Sequence, residues 1–100
     1  MLEIQFSSAL WVYQSKAAWY FLTVPKEDAD HIKHFVPRRN GFGSVKVSAR
    51  IGETQWQTSI FPDSKSGGFF LPIKAAVRKA EDLQVDRLAV CTLAIDVPLD

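Results

Sequence analysis

The feature that most constrains this fold is a motif that occurs twice. Trp19-Tyr-Phe-Leu-Thr-Val24 is an aromatic, β-favouring run ended by Pro25, and Phe69-Phe-Leu71 is a shorter one ended by Pro72. Proline has no backbone N–H and a fixed φ, so it stops a strand and sits well at the start of a helix. Behind Pro25, the acids Glu27, Asp28 and Asp30 suit the first helical turns. Ala29, Ile32 and Phe35 recur at helical spacing and predict a helix over about 26–36. Behind Pro72, a second helix is predicted, with Ile73, Ala76/Val77, Ala80 and Leu83 as its buried stripe. Ala29, Ile32 and Phe35 match Val77, Ala80 and Leu83 at a single offset, with the prolines displaced from it by one residue. The chain therefore reads as an internal pseudo-repeat of two strand–helix–strand units.

The intervening segments are strands. Leu2, Ile4 and Phe6 alternate with polar residues, and Trp11-Val-Tyr13 extends that strand. The run Trp19–Val24 is apolar on both faces, which predicts a strand covered on both sides. Val45, Val47, Ala49 and Ile51 alternate cleanly with Lys46, Ser48 and Arg50. A tight turn at Gly52 then leads into a partner strand over Gln55–Phe61. Residues 62–68 read as a loop, and Arg87–Val97 as the last strand, ended by Pro98. Six or seven short strands and two short helices in 100 residues cannot form large layers. The expectation is a single mainly-β domain over 1–100: a small closed or double-split β-barrel whose two short helices cap its ends.

Composition bounds the function. A net charge of +1 and a pI near 7.9 give no overall basic excess of the kind that marks many nucleic-acid binders. Met1-Leu-Glu3 does not open a secretory signal, and no apolar run approaches the roughly 20 residues that span a bilayer. Cys91 is the lone cysteine and lies in an apolar run, which predicts a buried, inert thiol and a reducing compartment. A cytoplasmic protein without a membrane anchor is expected.

No catalytic constellation stands out. Ser59 lacks the glycine-flanked pattern of a nucleophile elbow, and Gly41-Phe-Gly43 lacks the Lys-Ser/Thr of a phosphate loop. His31 and His34, with Asp28 or Asp30, have helical spacing but read as surface residues, since a metal site needs three or four convergent ligands. No metal or other cofactor is expected, and the domain reads as non-catalytic. Lys74 and Arg78 lie four residues apart, on one helix face. With Trp56, Ser59 and Phe70 they are expected to frame a groove with an apolar floor and two cations. Such a groove suits a small anionic or aromatic ligand, or a protein partner. The competing reading is a basic surface for nucleic-acid phosphates, built from Lys33, Arg38, Arg39, Lys74, Arg78 and Lys79. A plain solvated helix face, partly neutralised by Glu81 and Asp82, is the alternative to both. An exposed sheet edge pairing into a homodimer, rather than a monomer, is the third possibility.

Two spaced signatures carry a resemblance. They are Trp56-x-Thr58-Ser59-x-Phe61-Pro62 and Gly68-x-x-Leu71-Pro72-x-Lys74-Ala-Ala-Val-Arg78-Lys79-Ala80. Together with the Trp19–Pro25 and Gly43–Ile51 strands, the chain resembles a family of small bacterial domains of unknown function. That family is also found fused to YdeI-like or OmpD-associated segments. The resemblance implies a double-split β-barrel, similar in build to the AbrB-type swapped-hairpin DNA-binding domains that assemble such a barrel from two chains. Fold analogy of that kind is what points to nucleic acid; it does not fix function. Two departures stand out. Val85-Asp86-Arg87 lacks the glycine of the family's Gly-Asp turn, and the loop between Pro62 and Gly68 is longer than usual, which weakens a binding role there.

Overall fold

The computed structural model describes residues 1–37, 39 and 41–97. Its strands are β1 (Leu2–Ala9), β2 (Trp11–Gln14), β3 (Ala18–Val24), β4 (Val45–Ile51), β5 (Thr54–Pro62), β6 (Phe69–Pro72) and β7 (Leu88–Ile95). Helix α1 (Lys26–Phe35) joins β3 to β4, and α2 (Ala75–Ala80) joins β6 to β7. The expected stop of the last strand at Pro98 lies outside the described residues.

All seven strands pair antiparallel in one sheet, in the order β1-β7-β4-β5-β6-β3-β2, which curls into a half-barrel. The closed barrel expected from the sequence is not formed. The two edge strands, β1 and β2, are successive pieces of one N-terminal run and follow each other end to end. They therefore cannot lie side by side and exchange rungs. At the joint between them, Leu10 is buried, and its backbone turns instead to the loop before β7. Leu10 N–H donates to the Arg87 carbonyl at 3.1 Å, and Asp86 N–H donates to the Leu10 carbonyl at 2.8 Å.

The pairing has an internal exchange symmetry. β3 pairs with β6 and β4 pairs with β7, while β5 and the β1–β2 run each bridge the two halves. Swapping β3 with β6, β4 with β7 and β5 with β1–β2 leaves this pattern of neighbours unchanged.

Strand alternation sends Ile4, Phe6, Leu22, Val24, Val47, Ala49, Ile60, Phe69, Leu71, Cys91 and Leu93 inward as one core. Ala29 and Ile32 of α1, and Val77 of α2, close over it. Phe35 is exposed and Val36 buried, so the inner stripe of α1 ends one residue later than its periodicity suggests. Helix α2 is shorter than predicted. Asp82 takes a left-handed φ of 50°, which ends the helix, and Leu83 N–H caps the Arg78 carbonyl at 2.9 Å. Ala76 and Ala80 are consequently exposed; Ile73, before the helix, is buried, and Leu83, after it, is half-buried.

Two backbone positions decide local geometry. Gly52 (φ 58°) turns the β4–β5 hairpin, and a Cβ there would collide with the Glu81 carboxylate. That carboxylate accepts from Thr54 Oγ1 at 2.6 Å and ties the hairpin to the end of α2. Asp86, where glycine was missed, takes φ 69° itself. Asp tolerates the left-handed region better than most residues, so the turn forms without a glycine.

The outer face of β3 departs from expectation. Its apolar residues predicted cover on both sides, but Trp19, Phe21 and Thr23 point outward onto a face that is not overlaid. By register they stand beside Tyr13 and Trp11 on β2, and beside Pro72 and Phe70 on β6; Phe61 on β5 follows. Trp11, Phe21 and Phe70 pack on one another, with ring centroids 4.9–5.5 Å apart. Tyr13, Trp19 and Phe61 remain 57%, 56% and 43% exposed.

Candidate functional site

Antiparallel pairing of β3 and β6 sets Tyr20 beside the exit of β6, where Ile73 N–H donates to its carbonyl at 2.8 Å. Helix α2 starts immediately afterwards, with Lys74 as its extended N-cap residue. One turn later Arg78 folds back over β3. Its Cζ lies 3.6 Å from the centre of the Tyr20 ring, a close stacked cation–π contact. Stacking fixes the plane of the guanidinium and carries it out of water. Arg78 Nη1 is buried and has no hydrogen-bond partner among the described residues.

Around it opens a cleft of about 350 Å³. Trp19, Tyr20, Trp56, Pro72 and Ile73 form apolar walls, Gln57 and Thr58 add neutral polar groups, and Lys74 and Arg78 supply the charge. The cleft thus brings together three of the five residues expected to frame a groove: Trp56, Lys74 and Arg78. Trp56 is largely buried and presents only an edge, so the more exposed indole in the cleft is that of Trp19.

Ser59 and Phe70 lie elsewhere. Successive strand residues face opposite ways, so Ser59, three residues from Trp56, points outward. It lines a shallow depression with Trp19, Lys46, Phe61 and Pro72. Phe69 takes the inward place on β6 and is fully buried; Phe70 therefore faces out, into a groove with Trp11, Tyr13, Phe21 and the 63–66 loop.

Of the six cations of the phosphate-surface reading, the five among the described residues are spread over separate surroundings. Lys33 sits at the opposite end of the β3–β6 pair, 5.8 Å from the centre of the Phe69 ring, and donates to the Gly67 carbonyl at 3.0 Å. Arg39 donates to the Val36 carbonyl at 3.0 Å. Lys74 and Arg78 belong to the cleft, Lys79 is exposed, and Arg38 lies outside the described residues. His34 packs edge-on against Phe35, with ring centroids 4.9 Å apart. Among the described residues no group of three or more His, Cys, Asp or Glu side chains is placed to hold a metal. Cys91 is buried, and burial pushes its thiol up to about 12, well away from a reactive thiolate.

Residues 6–93 match the family described as DUF1905, a domain of unknown function. The chain belongs to that family. No curated protein matches it. The match takes in both proline-ended strands, both helices and the whole cleft of this DUF1905 domain. Sequence reasoning missed Tyr20, which contacts Arg78 only through tertiary packing of distant segments. Trp19 was legible as an aromatic that can stack, but not as a wall of this cleft.

Proposed function

We propose that this domain is a non-catalytic binding module, and that its cleft takes a small anionic ligand with an aromatic or otherwise apolar body. The observation that carries this reading is the stacked guanidinium of Arg78, whose buried Nη1 has no partner. Arg78 as a whole lines the cleft, and an anion seated there pairs with its positive charge. Lys74 adds a second positive charge, and Trp19 offers an exposed ring for an aromatic body. An ammonium and a guanidinium beside apolar walls make a recognition site; the reading assigns them no reaction.

The finer fold reading belongs to the same proposal. The exchange symmetry of the strands supports a single-chain counterpart of the AbrB-type double-split barrel, and the family resemblance supports an accessory role beside YdeI-like segments. The lone, buried Cys91 supports a reducing, cytoplasmic setting. The reading leaves monomer and homodimer both open. Phosphate binding through the helix cations is the weaker alternative, because Lys33 and Arg39 already donate to carbonyls.

The test is a titration of intrinsic tryptophan fluorescence with a panel of aromatic and aliphatic carboxylates and phosphates. Arg78→Met and Lys74→Met are run beside the parent protein. Binding by the parent that falls at least tenfold in Arg78→Met supports the cleft. Equal binding by both, or none across the panel, removes it.

A further inference from the structure

Three surfaces remain to be explained: the aromatic outer face of β2, β3, β6 and the end of β5; the polar hollow at residues 81–88; and the exposed Leu88–Val90 pair on β7. The first carries an inference. A sheet face is normally left bare only if its outward residues are polar, and here they are Trp11, Tyr13, Trp19, Phe21, Phe61, Phe70 and Pro72. Bare aromatic faces of this extent mark binding surfaces.

The partner's chemistry follows from the arrangement of charge. The groove over Trp11, Tyr13, Phe21 and Phe70 is lined at one side by Lys65. The depression beside Trp19 and Phe61 is lined by Lys46. Trp19, Gln57, Thr58 and Pro72 line both that depression and the cleft of Lys74 and Arg78, so the surfaces are continuous. One band therefore carries Lys46, Lys65, Lys74 and Arg78 against the single acid Asp63, in a chain whose whole net charge is only +1. Exposed rings stand beside these cations. Packing a second copy onto the same face would set much of this positive charge against its own duplicate.

We infer that this band binds single-stranded nucleic acid, with bases stacking on Tyr13, Trp19 and Phe61 and phosphates lying against Lys46 and Lys65. Stacking on sheet aromatics tolerates any base, because every base has a π-face, and cations beside them track the backbone. Tyr13 is in register with Trp19, while Phe61 is in register with Phe70 and, through it, with Thr23, four residues along β3; the rings therefore lie on a diagonal of roughly 20 Å, about the length of six stacked bases. A duplex keeps its base faces hidden and offers nothing for those rings to stack on. The assignment is separate from the small-anion reading of the cleft, because Tyr13, Phe61, Lys46 and Lys65 do not line the cleft.

The experiment is fluorescence polarisation with a labelled oligothymidylate of about 12 nucleotides, within the usual span of such sites. The matching duplex and polyglutamate serve as comparison probes. The single strand is expected to bind at low salt at least tenfold tighter than either. Tyr13→Ala with Phe61→Ala should weaken it more than tenfold while circular dichroism stays unchanged. Lys46→Gln with Lys65→Gln should lower the slope of log affinity against log salt by roughly 1.4. Arg78→Met should lose the carboxylates of the cleft and keep most of the oligonucleotide affinity, so the two readings fail separately. No binding at low salt overturns the inference. So does duplex or polyglutamate binding as tight as the single strand, or an unchanged affinity in Tyr13→Ala with Phe61→Ala. A doubled mass in sedimentation that Tyr13→Ala abolishes also overturns it, by assigning the face to self-association.

Discussion

The two ends of the β3–β6 pair are built alike and left in different states. At one end Lys33 of α1 reaches over Phe69 of β6; at the other, Arg78 of α2 reaches over Tyr20 of β3. Each ring receives a cation from the helix that follows the opposite strand. Phe69 is fully buried, and the Lys33 ammonium is satisfied by the Gly67 carbonyl. Tyr20 is half-buried, and Arg78 keeps a donor in reserve beside an open cleft. The same geometry is closed within the fold where its polar group is satisfied, and stands beside an open cleft where it is not.

This contrast can be broken most decisively at the rings. Phe69→Ala should cost about 3–5 kcal/mol in urea unfolding, as expected for a fully buried phenyl. Tyr20→Ala should cost only about 1–2 kcal/mol, because the ring is only partly buried. Equal losses would mean that both ends are structural. Cys91 offers a second readout of the same pair. Its folded thiol is held near 12 against an ordinary value of 9.0, so iodoacetamide at neutral pH labels chiefly unfolded chains. Labelling should accelerate in Phe69→Ala far more than in Tyr20→Ala. Because that folded value is raised, its share of stability is full below about pH 9 and declines as pH rises toward 12.

The cations sharpen the comparison with smaller effects. Lys33→Met should lose about 1 kcal/mol, the worth of a charged hydrogen bond to Gly67 at a partly exposed site, and leave carboxylate binding untouched. Arg78→Met loses a cation–π contact of about 1 kcal/mol but also an unsatisfied donor of similar cost. Its unfolding free energy should stay within about 1 kcal/mol of the parent while binding is lost. The smallest change is a control for the backbone near Leu10. Asp86→Gly should be neutral or stabilising by up to about 1 kcal/mol, and Asp86→Val should destabilise by a similar amount or more, because φ is positive there.

Much of the architecture was legible because proline and alternation are local signals. Pro25 and Pro72 marked the two strand–helix joints, and the clean alternation over Val45–Ile51 gave β4 to the residue. Closure was not legible, since it turns on Leu10, where one N-terminal run passes between the two edges of the sheet. Helix α2 was overextended because apolar spacing continued past Asp82, whose backbone conformation no periodicity reveals. Helical spacing put Lys74 and Arg78 on one face, and both line the cleft. Ser59 and Phe70 were misplaced although strand parity alone separates them from Trp56 and Phe69. The stack of Arg78 on Tyr20 depends on tertiary packing and left no trace in local sequence. The bare outer face was misread for a related reason: aromatic residues look the same in sequence whether another element covers them or not.

The pairing of β1 with β7 has a consequence for synthesis. Among the described residues β1 has its lateral partner in Leu88–Ile95, at the far end of the domain in sequence. Contacts of such long range form late and slowly. The first eight strand residues, and the Leu10 joint that positions β2, must wait while everything between is made. This domain completes its sheet only after translation of β7, and until then the Leu10 joint lacks its backbone partners at Asp86 and Arg87.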